Sequence, residues 1–356
     1  MEGDNDVMYI GVDMHKAAHV LVALDEQGRT LGTRDITNSP DGWGEALRWA
    51  QGWPGERMWG LENSGSWGKG LAQSLLAQGE AVVYEVSPQR TAQYRRRGRT
   101  QDKTDHADAL AIARLFVAEG EQLPRVQADD ASTELRLLSD HRDNLLGERT
   151  RLINQLHDQM VQLDPAYKVN SGPLTQRRGI LYCRDWTLAH PSSVAGTRLL
   201  IVHQLANQIL RLDDELAAIT AELSARVQAT QTPLLALRGV GEVTAARLIG
   251  ELGSPPRIRS ATALAARAGI APVAVSSGGR TGYRLNRGGN RRLNRAIHII
   301  ALSQRRCEPR AQAYYAKKRA EGKTAREAMR CLKRRLVDVL YRTLCQDRGV
   351  LVATAA

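Results

Sequence analysis

The chain has 356 residues, 42% hydrophobic and 25% charged, with a net charge of +12; that length allows two or three domains with a sizeable core, and the basic balance favours an acidic polymer as partner. Its four cysteines (Cys183, Cys307, Cys331, Cys345) form no C-x-x-C pair, which removes zinc knuckles and ribbons and suits a reducing cytoplasm. No apolar run is long enough to span a bilayer, and the acidic start Met1 to Asp6 lacks the basic and apolar regions of a signal peptide, so a cytoplasmic protein with no membrane partner is expected.

Met8 to Asp13 reads as a buried strand ending in an acid, His19 to Leu24 as a second strand, and Thr30 to Asp35 as a third. The rhythm then changes. Asp41 to Gln51 is a helix, Arg57 to Glu62 a strand, Trp67 to Gln78 a helix, and Ala81 to Val86 a strand. Strands alternating with helices imply parallel crossovers. Three strands followed by this alternation is the order of a ribonuclease-H-like α/β domain, expected over residues 1–125.

Lys103-Thr104-Asp105-His106-Ala107-Asp108 opens a helix that continues through Leu110 to Phe116, with Thr104 or Asp105 as N-cap. Asp105 and Asp108 are three apart, so they share a helix face near the positive end of its dipole. Two carboxylates that close repel each other unless a cation lies between them, and magnesium prefers such oxygen ligands. Asp13 ends the first strand and Glu62 the fourth. Ligands of α/β sheets gather at strand ends, so these four acids are expected to meet there and hold two metal ions about 4 Å apart. Just before the pair, Arg95-Arg96-Arg97-Gly98-Arg99 reads as a phosphate clamp or a solvated basic loop.

The middle, residues 126–230, is expected to be helical. Ala131 to Leu163 carries a leucine stripe and stops at Asp164-Pro165. Residues 164–196 hold three prolines and read as an irregular insert. Val202, Leu205, Ile209, Leu212, Leu216, Ile219 and Leu223 then step by threes and fours, a coiled-coil seam whose partner is a second copy or the preceding helix.

The last third, residues 231–356, is expected to be mainly α-helical. Leu234 to Leu252 reads as a helix-hairpin-helix, with Gly239 and Gly241 letting the backbone approach a phosphate. Ala261 to Ala268 is a small-residue helix leading to a loop with Ser276-Ser277-Gly278-Gly279. From Arg280 to Arg335 there are eighteen Lys/Arg against three acids, a net of +15 that leaves the rest of the chain at −3. Arg280, Arg284, Arg287, Arg291, Arg292 and Arg295 crowd its start, where planar guanidinium groups suit phosphate oxygens. Arg295 to Ser303 and Ala311 to Leu344 read as helices that track a nucleic-acid backbone.

Together these motifs resemble the DEDD transposases of bacterial insertion sequences, the IS110 family. The matching residues are Gly11 to Lys16, Glu62 within Gly60 to Gly65, Lys103 to Ala109, Gly239 to Ala245, Ala268 to Pro272, Ser277-Gly278 and Gly289-Asn290. The resemblance implies a RuvC-like domain whose four acids bind magnesium, with manganese as a substitute, then a coiled coil and a C-terminal transposase domain. It implies Ser277, directly before Gly278, as nucleophile in a phosphoserine–DNA intermediate. It also implies donor and target DNA as partners, a structured bridge RNA as guide, and active sites shared between protomers of a dimer or tetramer. Asn63-Ser64 departs from the family's small residue and threonine after the glutamate. Two other readings stay open: a junction-resolving nuclease with water as nucleophile, and a non-enzymatic nucleic-acid-binding protein.

Overall fold

In the first strand, alternate residues Met8, Ile10, Val12 and Met14 are buried apolar side chains, while Tyr9, Gly11 and Asp13 fall on the other face. Helices are therefore needed on both sides of the sheet. The structure, a computed structural model, describes residues 7–80, 82–97, 104–120, 123–190, 192–253, 258, 260–277, 280–286 and 288–353. The chain divides into two compact units between Asp129 and Asp130.

The first unit is a mixed α/β sheet domain. Its strands are β1 (Val7–Met14), β2 (Ala18–Leu24), β3 (Thr30–Thr37), β4 (Glu56–Glu62) and β5 (Val82–Val86), in the order β3-β2-β1-β4-β5. β1, β2 and β3 pair antiparallel, whereas β4 joins β1 and β5 joins β4 in parallel. Helices α1 (Pro40–Ala50) and α2 (Lys69–Ala77) cover the face of Met8, Ile10 and Val12, burying Ala46, Ala50, Leu71 and Leu75. α4 (Asp105–Glu119) covers the other face, where Phe116 meets Tyr9 edge to face at 5.8 Å. α4 lies so close that a Cβ on Gly11 would stand 2.3 Å from the Ala113 backbone nitrogen. α3 (Pro88–Arg97) packs beside α4; this helix carries the start of the arginine run and lacks the apolar period that would announce it.

The second unit is mostly helical. α5 (Ala131–Leu163) and α8 (Ser193–Ala229) pack along each other, burying Leu152, Leu156 and Met160 against Val202, Ile209 and Leu212. The apolar seam thus has a partner within the chain. The stretch expected to be irregular, residues 164–196, is instead built into this core: α6 (Lys168–Ser171) and α7 (Arg177–Asp185) bring Tyr167, Ile180 and Cys183 to within 1% of full burial. Pro165 and Pro173 fall at the breaks before α6 and α7.

A second core joins α9 (Glu242–Leu252), α10 (Ala261–Arg267), α11 (Arg291–Cys307) and α13 (Ala325–Ala353) through Leu248, Leu264, Ile297, Leu336 and Leu340. The element before Gly239 is a single 3-10 turn, Pro233–Ala236, and not the first α-helix of a helix-hairpin-helix, because only Thr232 to Leu237 is available and Pro233 starts it. Where a loop is expected at Ser276-Ser277, β6 (Pro272–Ser277) and β7 (Arg280–Leu285) form an antiparallel hairpin. The span Ala311 to Leu344 holds two helices, α12 (Pro309–Ala320) and α13, parted by Gly322 at φ +83°. No helix among the described residues is long and apolar enough to cross a membrane.

Candidate active site

Strand parity sets the first half of the site. Gly11 and Asp13 lie on one face of β1, two residues apart, and Gly60 and Glu62 repeat the spacing on β4. The glycines admit α4: Gly11 faces the backbone at Ala109 and Ala113, and Gly60 faces Phe116. The acids then project beside the start of the same helix. Thr104 caps that start, its hydroxyl accepting the Ala107 N–H at 3.2 Å, so Asp105 and Asp108 occupy the first turn.

His15, two residues past Asp13, links strand and helix. Its Nε2 lies 3.1 Å from Asp13 Oδ2 and 3.3 Å from Asp105 Oδ1. Asp13, His15 and Asp105 each offer one ligand atom, and these atoms all lie within 4.8 Å of one another, close enough to hold a metal ion. Glu62 and Asp108 stand beside this group. Burial raises the Asp13 carboxyl above its ordinary range; His15 opposes this, and the charges of Asp108 and Asp105 reinforce it. Glu62 is raised by burial and then by Asp13, against a hydrogen bond from Thr91 and the charge of Arg95. Each of the four acids therefore feels at least one other. Asp108 also forms an ion pair with Arg95 of α3.

The turn after Glu62 is fixed in an unusual backbone. Asn63 has φ +58°, a left-handed conformation that asparagine tolerates better than most residues. Its carbonyl accepts the Ser66 N–H at 3.0 Å, and the buried Ser64 donates to Glu85 Oε2 at 2.7 Å. The Asn63-Ser64 departure is thus a held turn directly after Glu62.

The remaining expected residues are spread over both units. Of the arginine run, Arg95 turns to Asp108, Arg96 and Arg97 end α3, and Arg99 lies outside the described residues. Gly239 has φ +82°, and a Cβ there would press Ser303 of α11 at 3.0 Å, so this glycine is needed for packing. Gly241 is the N-cap of α9, with open space where a Cβ would stand. Ser277 ends β6 and pairs with Arg280 of β7, and Arg284 pairs with Val273. Arg287 lies outside the described residues. Arg291, Arg292 and Arg295 occupy the first turns of α11, where Arg292 pairs with Asp140 at 2.7 Å. His15 is the site residue that sequence reasoning missed. Its signal was there: His15 is a metal-ligating residue type directly after the strand that carries Asp13.

Residues 10–165 match a family of DEDD transposases of the IS110 type, and residues 231–316 match the transposase family of IS116, IS110 and IS902. An uncharacterized 44.8 kDa protein of insertion element IS116 from Streptomyces clavuligerus is 29% identical over 98% of this chain and 97% of its own length. An uncharacterized 42 kDa protein of IS900 from Mycobacterium paratuberculosis is 27% identical over 96% of each. An uncharacterized 43.6 kDa protein of IS110 from Streptomyces coelicolor is 27% identical over 68% of this chain and 70% of its own.

Proposed function

We infer the chemistry from one premise: the chain belongs to the IS116/IS110/IS902 family of transposases, enzymes that cut and rejoin DNA. We propose that its first unit is a RuvC-like domain whose Asp13, Glu62, Asp105 and Asp108 hold magnesium, and that Ser277 is the nucleophile of strand exchange. The observation that carries this reading is the meeting of carboxylates from β1, β4 and α4, with His15 between two of them.

The donor set fits a hard divalent cation: carboxylate oxygens and one imidazole nitrogen within reach of a single ion, in a group whose mutual repulsion such an ion relieves. Magnesium or manganese held there supplies polarisation of the scissile phosphate. Asp13, buried, and Glu62, half-buried, both above their ordinary range, would hold the ion from the sheet, while Asp105 and Asp108 would hold it from the helix. His15 orients Asp13 and Asp105 through its Nε2. The Ser277 hydroxyl attacks phosphorus, forming a P–Oγ bond as the bond to the deoxyribose oxygen breaks. The serine gives up its proton and the departing oxygen gains one. A hydroxyl of the second DNA then displaces the serine, so the phosphodiester bond energy is kept and no ATP is needed.

Family likeness adds the remaining parts of the reading: a structured bridge RNA that selects donor and target, and a dimer or tetramer whose protomers share active sites. Denaturing gels of the full chain incubated with donor DNA, target DNA and the element's RNA test it. A protein–DNA adduct is expected with magnesium, absent from Ser277→Ala and from Asp105→Asn. Continued cutting by Ser277→Ala without an adduct would instead establish water as nucleophile. Recombination that survives ribonuclease treatment would remove the guide RNA.

A further inference from the structure

The second unit contains a cleft of about 1140 Å³ that the chemistry above leaves unused. One wall is the foot of the β6–β7 hairpin, from Ala268 to Pro272 and at Asn286. The others are α11, α12 and α13. Its lining cations include Arg291, Arg295, Lys323, Arg330 and Lys333, and among the described residues none of these five has an ion pair with a carboxylate. The two acids in the lining are engaged elsewhere: Asp338 with Arg334 at 2.6 Å, and Glu327 with Thr324 at 2.8 Å.

Lys333 is the telling group. It is half-buried, and its ammonium donates to Asn294 Oδ1 at 2.6 Å, a neutral acceptor. Asn294 is held in turn, donating through Nδ2 to the Ala268 carbonyl at 2.7 Å. Burial and the nearby Arg330 push the Lys333 ammonium below its ordinary range, and burial with the Lys333 charge does the same to His298. A cation drawn from water without a counter-ion is costly, and the cost is relieved when an anion arrives. The helix dipole adds to the mismatch. α11 begins with Arg291 and Arg292 and no acid in its first turn, so cations sit at its positive end.

We propose that this cleft binds a single-stranded segment of nucleic acid by its phosphodiester backbone, with Lys333 on the cleft floor and Arg291, Arg295 and Arg330 along the rim. A flexible strand fits the shape. The cleft is concave and just above the range of about 300–1,000 Å³ typical of small-molecule sites, and the outer surface of a duplex would not enter it. Tyr314 supplies one aromatic face in the lining. Ser277 lies five residues along β6 from Pro272 at the cleft edge, about 17 Å at the usual strand rise. The inference takes from the proposed function only the class of ligand, and it would stand if Ser277 were not the nucleophile.

The test is equilibrium binding of the full chain to labelled oligonucleotides of one sequence, as single-stranded DNA, single-stranded RNA and duplex DNA, across a salt series with chelator present. Chelator and a Ser277→Ala background keep strand-transfer chemistry out of the measurement, so its failure leaves this readout intact. The exposed triple variant Arg291→Gln, Arg295→Gln, Arg330→Gln should weaken single-strand binding at least about tenfold and flatten the log–log salt slope by about 2, from roughly 0.7 per lost phosphate contact. Lys333→Met should flatten it by about 0.7. Arg184→Gln, paired with Asp185 and away from the cleft, should change neither. Loss on RNA or on DNA supports the cleft, and the larger loss identifies the strand it takes. Unchanged single-strand binding in the triple variant, or equal losses on single strand and duplex, overturns the proposal.

Discussion

Arg247 and Lys333 are both cations drawn toward the interior of the second unit, and their surroundings differ completely. Arg247 reaches from α9 toward α5, where its side chain is 8% exposed and meets Asp140, Asp143 at 2.9 Å and Glu251 at 3.6 Å. Arg292 adds a second cation to the Asp140 carboxylate. Lys333 has a neutral amide and a repelling arginine. A charge that serves the fold is surrounded by its opposite; a charge left unanswered in a concavity has a partner still to come. The acids of the first unit belong with Lys333. Asp13 is buried and Glu62 half-buried among like charges, with His15 and Arg95 giving partial relief.

Arg247→Met breaks that comparison most sharply. It leaves three carboxylates around an apolar side chain, and about 3–5 kcal/mol of stability should be lost, read as a fall in the denaturant midpoint. Lys333→Met should leave the fold unchanged or stabilise it by about 1 kcal/mol, since it removes an uncompensated half-buried charge. Equal destabilisation by the two substitutions would mean that Lys333 is structural.

The next effect concerns the glycine that admits α4. Gly11→Ala sets a methyl 2.3 Å from the Ala113 nitrogen and 2.5 Å from the Ala109 carbonyl, both backbone atoms that cannot turn aside. Roughly 3 kcal/mol should be lost, and α4 should lift from β1, carrying Asp105 away from Asp13. Gly60→Ala meets the Phe116 ring at 3.2 Å, a contact that small shifts absorb, so about 1 kcal/mol is expected. Thermal melts of both variants, with divalent-cation binding by calorimetry, separate the two. Cation binding that survives Gly11→Ala unchanged would disconnect the acid group from the seating of α4.

Those two glycines explain why the acid group was legible in the chain. Gly-x-Asp at 11–13 and Gly-x-Glu at 60–62 each put an acid on the face that a close helix must cover, and the Thr104 cap fixes where that helix starts. Strand and helix periods carried the first unit because its elements are apolar on one face and short in their connections. The period failed where polarity hid the element. Pro88–Arg97 offers no apolar stripe, so the helix that brings Arg95 to Asp108 went unread. β7, Arg280-Thr281-Gly282-Tyr283-Arg284-Leu285, has little apolar alternation and takes its form from backbone pairing with β6. Residues 164–196 look irregular because their helices are short, yet Ile180 and Cys183 anchor them. The partner of the apolar seam was unreadable for another reason: a heptad pattern names a face and leaves its neighbour open.

The smallest effect is on pH, and its sign follows from the direction of two shifts. Asp13 and Glu62 are raised above ordinary values of 3.8 and 4.5, so the folded chain holds protons that the unfolded chain releases. Their contribution to stability is fully present below the ordinary values and is lost as pH rises through the raised ones. Without a divalent cation, the first unit should therefore lose thermal stability as pH rises above the ordinary carboxylate range. Exposed carboxylates such as Asp185 and Glu321, held below their ordinary range by hydrogen bonds from Arg184 and Lys318, act with the opposite sign. Subtracting the profile of Asp13→Asn from that of the unmodified chain cancels them and isolates the acid group. Magnesium should reverse the trend, because it binds the ionised carboxylates and its effect grows with pH. At about a hundredfold excess over its dissociation constant it should contribute about 2.7 kcal/mol. In Asp13→Asn that gain should shrink to a fraction, whereas a difference profile that rises toward neutral pH without cation would mean the acids are already satisfied within the protein.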